Sequence, residues 1–201
     1  MPHLVHLAKD KKLHKIIQLQ QKYILQKRNN VHLHICASII SQQLSTKVAA
    51  VIYGRFLALF KKKNPSPKDI VAIPFDQLRS IGLSNAKTNY VLNVCHFFID
   101  NKLTDARLHK MGDEELIEYL VQIKGIGRWT AEMILMFTLG REDVFAVDDL
   151  GIQQAMIRLY KLDTEDKKGM KLKMITISNK WKPYRTYACR YLWGWKDGEG
   201  Q

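Results

Sequence analysis

Apolar residues recur at helical spacing along almost the whole chain. In segments such as Thr46–Phe60 and Asn85–Ile99 they return every three or four residues, the period of one face of an α-helix. The alternation of apolar and polar residues that is typical of a half-buried strand is almost absent. Helices are therefore predicted over Leu13–Leu25, Val31–Leu44, Thr46–Phe60, Phe75–Ile81, Asn85–Ile99, Asp113–Ile123, Arg128–Leu139, Leu150–Leu159 and Trp181–Trp193. This pattern predicts an all-α, compact fold of many helices.

Capping and breaking residues indicate where these helices begin and end. Serine, a good N-cap, precedes two predicted helices, and glycine, which readily ends a helix, follows two others. These residues are Ser45, Ser84, Gly82 and Gly140. A breaker-rich loop is predicted at Lys61–Lys68 and a charged connector at Asp163–Lys171. No low-complexity tract or linker divides the chain, so we expect residues 1–201 to form a single domain.

Charge narrows the class of partner. The chain has 32 Lys and Arg residues against 19 Asp and Glu residues, a net charge of +13 and a pI near 9.6. Such a balance favours a polyanionic partner over a merely solvated surface. Cys36, Cys95 and Cys189 lie far apart, as expected for reduced, mostly buried thiols. Without a signal peptide or an apolar run of membrane-spanning length, we expect an intracellular protein, in the cytoplasm or nucleoid of a bacterium or the nucleus of a eukaryote.

A glycine hairpin is the most informative local pattern. One predicted helix runs into Gly125-Ile126-Gly127, and the next begins at once with Arg128. Glycines allow a tight turn and a close approach to another surface. The N–H groups that open the second helix point outward with the positive end of its dipole, which suits a phosphate. A helix-hairpin-helix is therefore predicted at about residues 114–139, with nucleic acid as its partner.

Three smaller features allow two interpretations each. Asp148 and Asp149 follow the hairpin by about two dozen residues and are either a capping pair in a turn or acidic groups for catalysis. The Gln42-Gln43 turn either is an exposed loop or inserts into a base stack. Trp129, in the first turn after the hairpin, is either a core residue or a ligand contact.

The order of four motifs supports a family resemblance. They are Gln42–Ser45, Lys124–Ala131, Asp143–Asp149 and Trp181–Ala188, within about residues 30 to 195. The chain resembles the helix-hairpin-helix–Gly/Pro–Asp DNA glycosylase superfamily, and most closely its 3-methyladenine DNA glycosylase II (AlkA-type) branch. The resemblance implies two helical subdomains flanking a cleft. The N-terminal β-domain of some relatives has no counterpart, because the helical pattern starts by residue 13.

The resemblance also implies roles for individual residues. Asp149 takes the place of the catalytic aspartate, and Asp148 that of the N-cap of the next helix. Gln43 maps to the residue that fills the space left by a flipped base. The base pocket maps to Trp129, Trp193, Met133 and Leu150. Contacts with double-stranded DNA map to Gln42, Gln43, Ser45, Lys124, Gly125, Ile126, Gly127, Arg128 and Thr130. No cofactor is required, but the carbonyls of Val121, Ile123 and Ile126 are expected to hold Na⁺ or K⁺ when DNA is bound.

Some of these positions depart from the family pattern. Lys124 replaces the proline that is commonest before the first hairpin glycine, and a cation there adds a phosphate contact. Met133 and Leu150 stand where a relative has tyrosines, and Gln43 where it has an apolar wedge. The departures leave the reaction class intact and bear on the range of bases accepted.

Three functions differ in how many of these residues they explain. The favoured one is a monomeric, monofunctional glycosylase of base excision repair that releases alkylated purines such as 3-methyladenine and 7-methylguanine. A bifunctional glycosylase/lyase needs a lysine where this chain has Trp129, and its iron–sulfur variants need four clustered cysteines. A non-catalytic duplex-binding module would explain the charge and the glycines, but not Asp149 and the two tryptophans.

Overall fold

The computed structural model describes residues 1–198, which contain helices and turns and no strand. The all-α prediction is confirmed for this part of the chain. In chain order the helices are α1 Pro2–Leu7, α2 Lys11–Ile17, α3 Val31–Ser41, α4 Thr46–Ala58, α5 Pro67–Val71, α6 Phe75–Ser80, α7 Asn85–Asp100, α8 Asp105–Lys110, α9 Asp113–Leu120, α10 Arg128–Phe137, α11 Leu150–Tyr160, α12 Lys167–Ser178 and α13 Arg185–Asp197, with a 3-10 turn at Asn179–Trp181 before α13.

The predicted caps and stops are confirmed. Ser45 accepts a hydrogen bond from the Val48 N–H and Ser84 one from the Lys87 N–H, as N-caps do. Gly82 and Gly140 have φ of +110° and +64°, a backbone conformation that L side chains rarely adopt. The helix ends that depend on a capping serine or a terminating glycine therefore lie where the sequence pattern predicts them.

Other predicted boundaries are wrong. The helix predicted over Leu13–Leu25 ends at Ile17, and the one predicted from Trp181 begins at Arg185. Proline disfavours the helical conformation of the residue before it, and Lys182, which precedes Pro183, is extended with ψ of 138°. The charged connector Asp163–Lys171 instead starts α12, because the Asp166 carboxylate caps the N–H groups of Lys168 and Gly169. The short helices α1, α5 and α8 were not predicted, although α5 has a local signal in the capping box formed by Ser66 and Asp69.

The helices are grouped into two units, each with its own packing. The terminal unit combines Met1–Gln26 with Leu135–Gln201, and the central unit is Lys27–Ile134. In the central unit, α7 packs against α3, α5 and α6, and α3 also packs against α4. Its core is formed by fully buried apolar side chains, among them Ile35, Ile39, Phe56, Ile70, Leu78, Val91 and Val94.

In the terminal unit, α11 packs along α13, and α2 contacts both helices. Asp10 fastens the N-terminal segment there: its carboxylate caps α2 and accepts hydrogen bonds from the Tyr160 hydroxyl at 2.7 Å and the Trp181 indole at 3.0 Å. Burial opposes the charged form of Asp10, but these hydrogen bonds outweigh it and lower its pKa. Burial and Asp10 together raise the pKa of Tyr160 far above its usual range.

The structure can be compared with two expectations from the sequence, on the cysteines and on membrane-spanning helices. Cys36, Cys95 and Cys189 are buried thiols. A hydrogen bond with Cys95, together with burial, raises the pKa of the Cys36 thiol. Within residues 1–198, none of the helices combines the length and the apolar character needed to cross a membrane.

Candidate functional site

The glycine hairpin lies in the central unit, between α9 and α10. Gly125 has φ of +108°, and a Cβ built on it would overlap the Tyr90 ring, with Tyr90 Cβ and Cδ1 both at 2.7 Å. Asn93, one helical turn after Tyr90 on α7, donates from its side-chain amide to the Lys124 carbonyl at 3.2 Å. The hairpin therefore rests on α7, and Gly125 is required by the packing of the protein itself.

Gly127 differs from Gly125 in its surroundings. No atom lies within 4 Å of a Cβ built on it, and its φ is not positive. The fold therefore accepts a side chain at this position. A glycine here keeps the start of α10 open to the close approach of another molecule, which is what the phosphate-binding prediction requires.

The carbonyl groups predicted to hold a cation belong to the same turn. The Ile126 N–H donates to the Ile123 carbonyl at 2.9 Å and closes the turn. A carbonyl oxygen has a second lone pair, so this bond leaves Ile123 able to bind a cation. The Ile123 and Ile126 side chains are buried, and Val121 is 39% exposed. The three residues all lie in the short segment between α9 and α10.

Arg128, predicted as a DNA contact, is engaged by two carboxylates. Its guanidinium binds both oxygens of Glu114 at 2.7 and 2.9 Å and Glu132 at 3.2 Å. The pKa of Arg128 is raised and that of Glu114 lowered, chiefly by their mutual hydrogen bonds. Arg128 thus joins the first turn of α9 to the first turns of α10 and braces the hairpin, while its side chain stays 53% exposed.

The turn between α3 and α4 carries the predicted Gln42, Gln43 and Ser45. Gln42 is half-buried, whereas Gln43 and Ser45 are exposed. Gln43 has φ of +59°, a left-handed conformation that is uncommon for residues other than glycine. Lys87 of α7 donates to the Gln42 carbonyl and supports this turn from inside the central unit. A left-handed residue directly after the C-cap commonly ends a helix, and here it leaves the Gln43 side chain exposed.

The first turns of α10 present Trp129 and Met133 one turn apart on the same face of the helix. Trp129 is 44% exposed and Met133 is half-buried, while Thr130 is buried. Of the two interpretations of Trp129, its exposure excludes a fully buried core residue. Thr130 is only 4% exposed, so its side chain is not available for the predicted DNA contact.

The acidic pair lies in the terminal unit, where α11 begins. Asp149 is the N-cap of α11: its Oδ1 accepts from the Ile152 N–H at 2.8 Å and from the Trp193 indole N–H at 2.8 Å. The prediction that Asp148 is the N-cap is wrong. Asp148 is exposed and pairs with Lys171 at 2.5 Å. The helix itself begins at Leu150, as the pattern predicts, and the residue before it, Asp149, has the extended backbone of a cap, with ψ of 122°.

The loop that carries Asp149 is clamped by the motif at the start of α13. The Arg185 guanidinium binds both carboxylate oxygens of Asp143 at 2.7 and 2.9 Å and its carbonyl at 2.8 Å. The Thr186 hydroxyl donates to the Arg141 carbonyl and accepts from the Val144 N–H. The motifs Asp143–Asp149 and Trp181–Ala188, distant in sequence, are thus parts of one hydrogen-bonded assembly.

Aromatic and apolar surface borders the Asp149 carboxylate. Leu150, predicted for the base pocket, is 67% exposed. Phe137 is 39% exposed, and its ring centroid lies 5.7 Å from that of Trp193. Arg190 lies over Phe137 at 5.2 Å. Phe137 was not predicted as a site residue, because an apolar residue at helical spacing is indistinguishable from core in the sequence.

Comparison with known proteins gives the family. The profile of the HhH-GPD superfamily base excision DNA repair proteins matches residues 36–180. The chain belongs to this superfamily. Three of the four motifs that carried the resemblance lie within the matched range, and the fourth, Trp181–Ala188, follows directly after it.

Curated relatives agree. DNA-3-methyladenine glycosylase 1 of Schizosaccharomyces pombe is 37% identical over 158 residues, which cover 78% of this chain and 68% of that protein. The putative DNA-3-methyladenine glycosylase YfjP of Bacillus subtilis is 34% identical over 161 residues, which cover 77% of this chain and 55% of that protein. The chain therefore spans about half the length of this second relative.

Solved structures share the fold. A DNA-3-methyladenine glycosidase from Bacillus halodurans superimposes with a TM-score of 0.86 and 35% identity, covering 98% of this chain and 89% of that one. A 3-methyladenine DNA glycosylase of Schizosaccharomyces pombe, solved in complex with abasic DNA, gives a TM-score of 0.79 and 31% identity, with 96% of each chain covered. The predicted fold class of an all-α glycosylase is confirmed.

Proposed function

We propose that this chain is a monofunctional DNA glycosylase that releases alkylated purines from double-stranded DNA inside the cell and leaves an abasic site. The observation that carries this proposal is the Asp149 carboxylate, held by two N–H donors in a clamped loop. Membership of the HhH-GPD superfamily supports the proposal that a carboxylate so fixed acts on the substrate as well as capping a helix.

The proposed chemistry is hydrolysis of the N-glycosidic bond. The bond between the sugar C1′ and the purine nitrogen breaks, and its electron pair leaves with the base. For a cationic alkylated purine the departing base is neutral, and positive charge develops on the sugar. The fixed negative charge of Asp149 stabilises that charge. Water then adds its oxygen to C1′ and loses a proton, and the carboxylate orients this water.

The hairpin is proposed to hold the DNA backbone. Gly127 and the N–H groups at the start of α10 take a phosphate, and Lys124, which is exposed, adds a cation. The carbonyls of Val121, Ile123 and Ile126 would hold Na⁺ or K⁺, which would add positive charge to the hairpin. Gln43, exposed in its uncommon conformation, is proposed to fill the space that a flipped base leaves.

Selection of the base is proposed to depend on aromatic side chains. Trp129 and Trp193 offer ring surfaces that attract an electron-poor, positively charged base. Met133 and Leu150 are apolar, so these two positions offer no hydroxyl donors to a base. Recognition of charge and shape in preference to hydrogen bonding would give a broad range of alkylated purines.

One experiment tests the proposal. The protein is incubated with DNA treated with a methylating agent, and the released bases are separated by chromatography. Release of 3-methyladenine and 7-methylguanine that depends on the protein is the expected result. Binding of DNA without release of any base would contradict the proposal and favour a duplex-binding module. A DNA duplex that contains deaminated purines and no methylated bases is the comparison substrate.

A further inference from the structure

Trp193 directs the edge of its ring toward Asp149. The indole Nε1–H donates to Asp149 Oδ1 at 2.8 Å, the same oxygen that accepts the N–H of Ile152. One donor is fixed by the backbone of α11, and the other comes from α13, which packs along α11. Two donors from different directions fix both the position and the rotation of a carboxylate, which one cap bond does not.

Gly151 explains why this arrangement fits. A Cβ built on it would lie 3.0 Å from Trp193 Cδ1, 3.1 Å from Trp193 Nε1 and 3.1 Å from Asp149 Oδ1. Its φ is not positive, so the backbone does not require glycine. The second residue of α11 therefore lacks a side chain because any side chain there would press on the indole and the carboxylate at the point where they meet.

The Trp193 ring also packs against a second aromatic ring. Its ring centroid is 5.7 Å from that of Phe137, whose ring lies under the Arg190 guanidinium at 5.2 Å. The residues before and after it on α13, Leu192 and Gly194, are buried. The indole is thus placed by its neighbours and is suited to place the group that it contacts.

We propose that Trp193 is a positioning residue for the Asp149 carboxylate and acts through its indole N–H. Gly151 assists because the absence of a side chain there leaves room for this hydrogen bond. The inference rests on the proposed function, in which Asp149 is the catalytic group. In this role the indole N–H of Trp193 acts on Asp149, whereas stacking would use the face of the ring on a base.

The test separates the ring of Trp193 from its N–H. Trp193→Phe keeps an aromatic ring and removes the donor, and Trp195→Phe makes the same change two residues later on α13. Loss of a hydrogen bond to a charged group lowers a rate by about 10- to 100-fold. We expect this loss in single-turnover base release for Trp193→Phe, with unchanged affinity for abasic DNA, and a near-normal rate for Trp195→Phe. Gly151→Val should resemble Trp193→Phe.

A spectroscopic measurement tests the hydrogen bond without activity. The indole N–H signal of Trp193 is assigned in a nitrogen–proton correlation spectrum by its absence in Trp193→Phe. We expect it to shift in Asp149→Ala and in Gly151→Val, while the Trp195 signal stays in place and reports an intact fold. A Trp193 signal that does not respond to Asp149→Ala would overturn the inference.

The two proposals fail differently. If wild-type protein releases bases and Trp193→Phe releases them at the same rate, the positioning role is overturned and the proposed function stands. If wild-type protein releases no base, the proposed function is overturned, and with it the positioning of a catalytic group by Trp193.

Discussion

The Lys87 ammonium lies 2.6 Å from the carbonyl oxygen of Gln42 and 2.9 Å from that of Ile40. Lys87 is half-buried on α7, and burial lowers its pKa. It satisfies two carbonyl groups at the end of α3, which lack helical partners there. Residue 43 follows immediately, so the charge of Lys87 stabilises the backbone from which Gln43 projects.

Lys87→Met should loosen this turn. Methionine retains most of the apolar stem but leaves two carbonyl groups without the ammonium, so we expect the free energy of unfolding to fall by about 1–3 kcal/mol. Affinity for abasic DNA should fall as well, since Gln43 loses its support. Denaturant unfolding and fluorescence-polarisation binding measure the two effects. Lys110→Met, an exposed lysine of α8 in the same unit, is the control. Equal behaviour of the two variants would contradict the role of Lys87.

The two hairpin glycines should separate folding from binding. Gly125→Ala should lower the melting temperature strongly, because of its φ of +108° and the ring of Tyr90. Gly127→Val should fold almost normally, yet bind all DNA sequences more weakly, since phosphate contacts carry no sequence information. Wild-type affinity should fall with salt by about 0.9 log units per log unit of salt for each neutralised phosphate. A folded Gly127→Val protein with wild-type affinity would remove the hairpin from the proposal.

The acidic pair should show unequal catalytic importance. Asp149→Asn should abolish base release and retain binding to abasic DNA, because the charge acts on the transition state. Asparagine still caps α11, so stability should change little, whereas Asp149→Ala should cost about 1 kcal/mol. Asp148→Asn breaks an exposed ion pair with Lys171 and should leave single-turnover excision nearly unchanged. The reverse ranking of the two asparagine variants would show that the assignment within the pair is wrong.

Strand cleavage should not accompany base release. A lyase forms an imine between an amine and the sugar C1′, and Trp129 cannot form one. Borohydride added during excision should trap no stoichiometric protein–DNA adduct, and the strands should remain intact until alkali cleaves the abasic sites. An adduct that forms at the rate of base release would show a bifunctional enzyme and point to a lysine elsewhere in the chain.

Stability should fall as the pH falls below about 6.5. His32 is buried and its Nε2–H donates to the Pro65 carbonyl at 2.9 Å; burial lowers its pKa, and the carbonyl and Asp105 only partly oppose this. The unfolded chain therefore binds more protons than the folded one in this range. The resulting slope is at most about 1.4 kcal/mol per pH unit for each such group. The pKa values of His3 and His34 are also lowered.

His32→Gln keeps a donor for the Pro65 carbonyl and does not titrate. Urea unfolding at pH 7.5 and pH 5.5 should therefore give a smaller stability difference for this variant than for the wild type. An equal difference in the two proteins would exclude His32 as a source of the pH dependence.

Much of this fold was predictable because its signals are local. The period of apolar residues is a property of each helix alone, so α4, α7 and α11 are nearly where the pattern places them. An N-cap side chain bonds a backbone N–H only three residues away, which is why the predicted caps at Ser45 and Ser84 are confirmed. Helix α8 was missed because Leu108 is its one large apolar residue, whereas the equally short α6 has Phe75 and Leu78 three residues apart.

Tertiary contacts decided what no local pattern could. The helical class, the basic charge, the glycine hairpin and an acidic pair before α11 all follow from the order of residues along the chain. Only the folded chain showed that the indole of Trp193, 44 residues away in sequence, donates to the Asp149 carboxylate. The different roles of the two hairpin glycines also became visible only in the folded chain. The Tyr90 ring fills the space beside Gly125, whereas the space beside Gly127 is open. A hydrogen bond or a steric overlap between distant residues depends on where helices pack, and packing is a property of the whole chain.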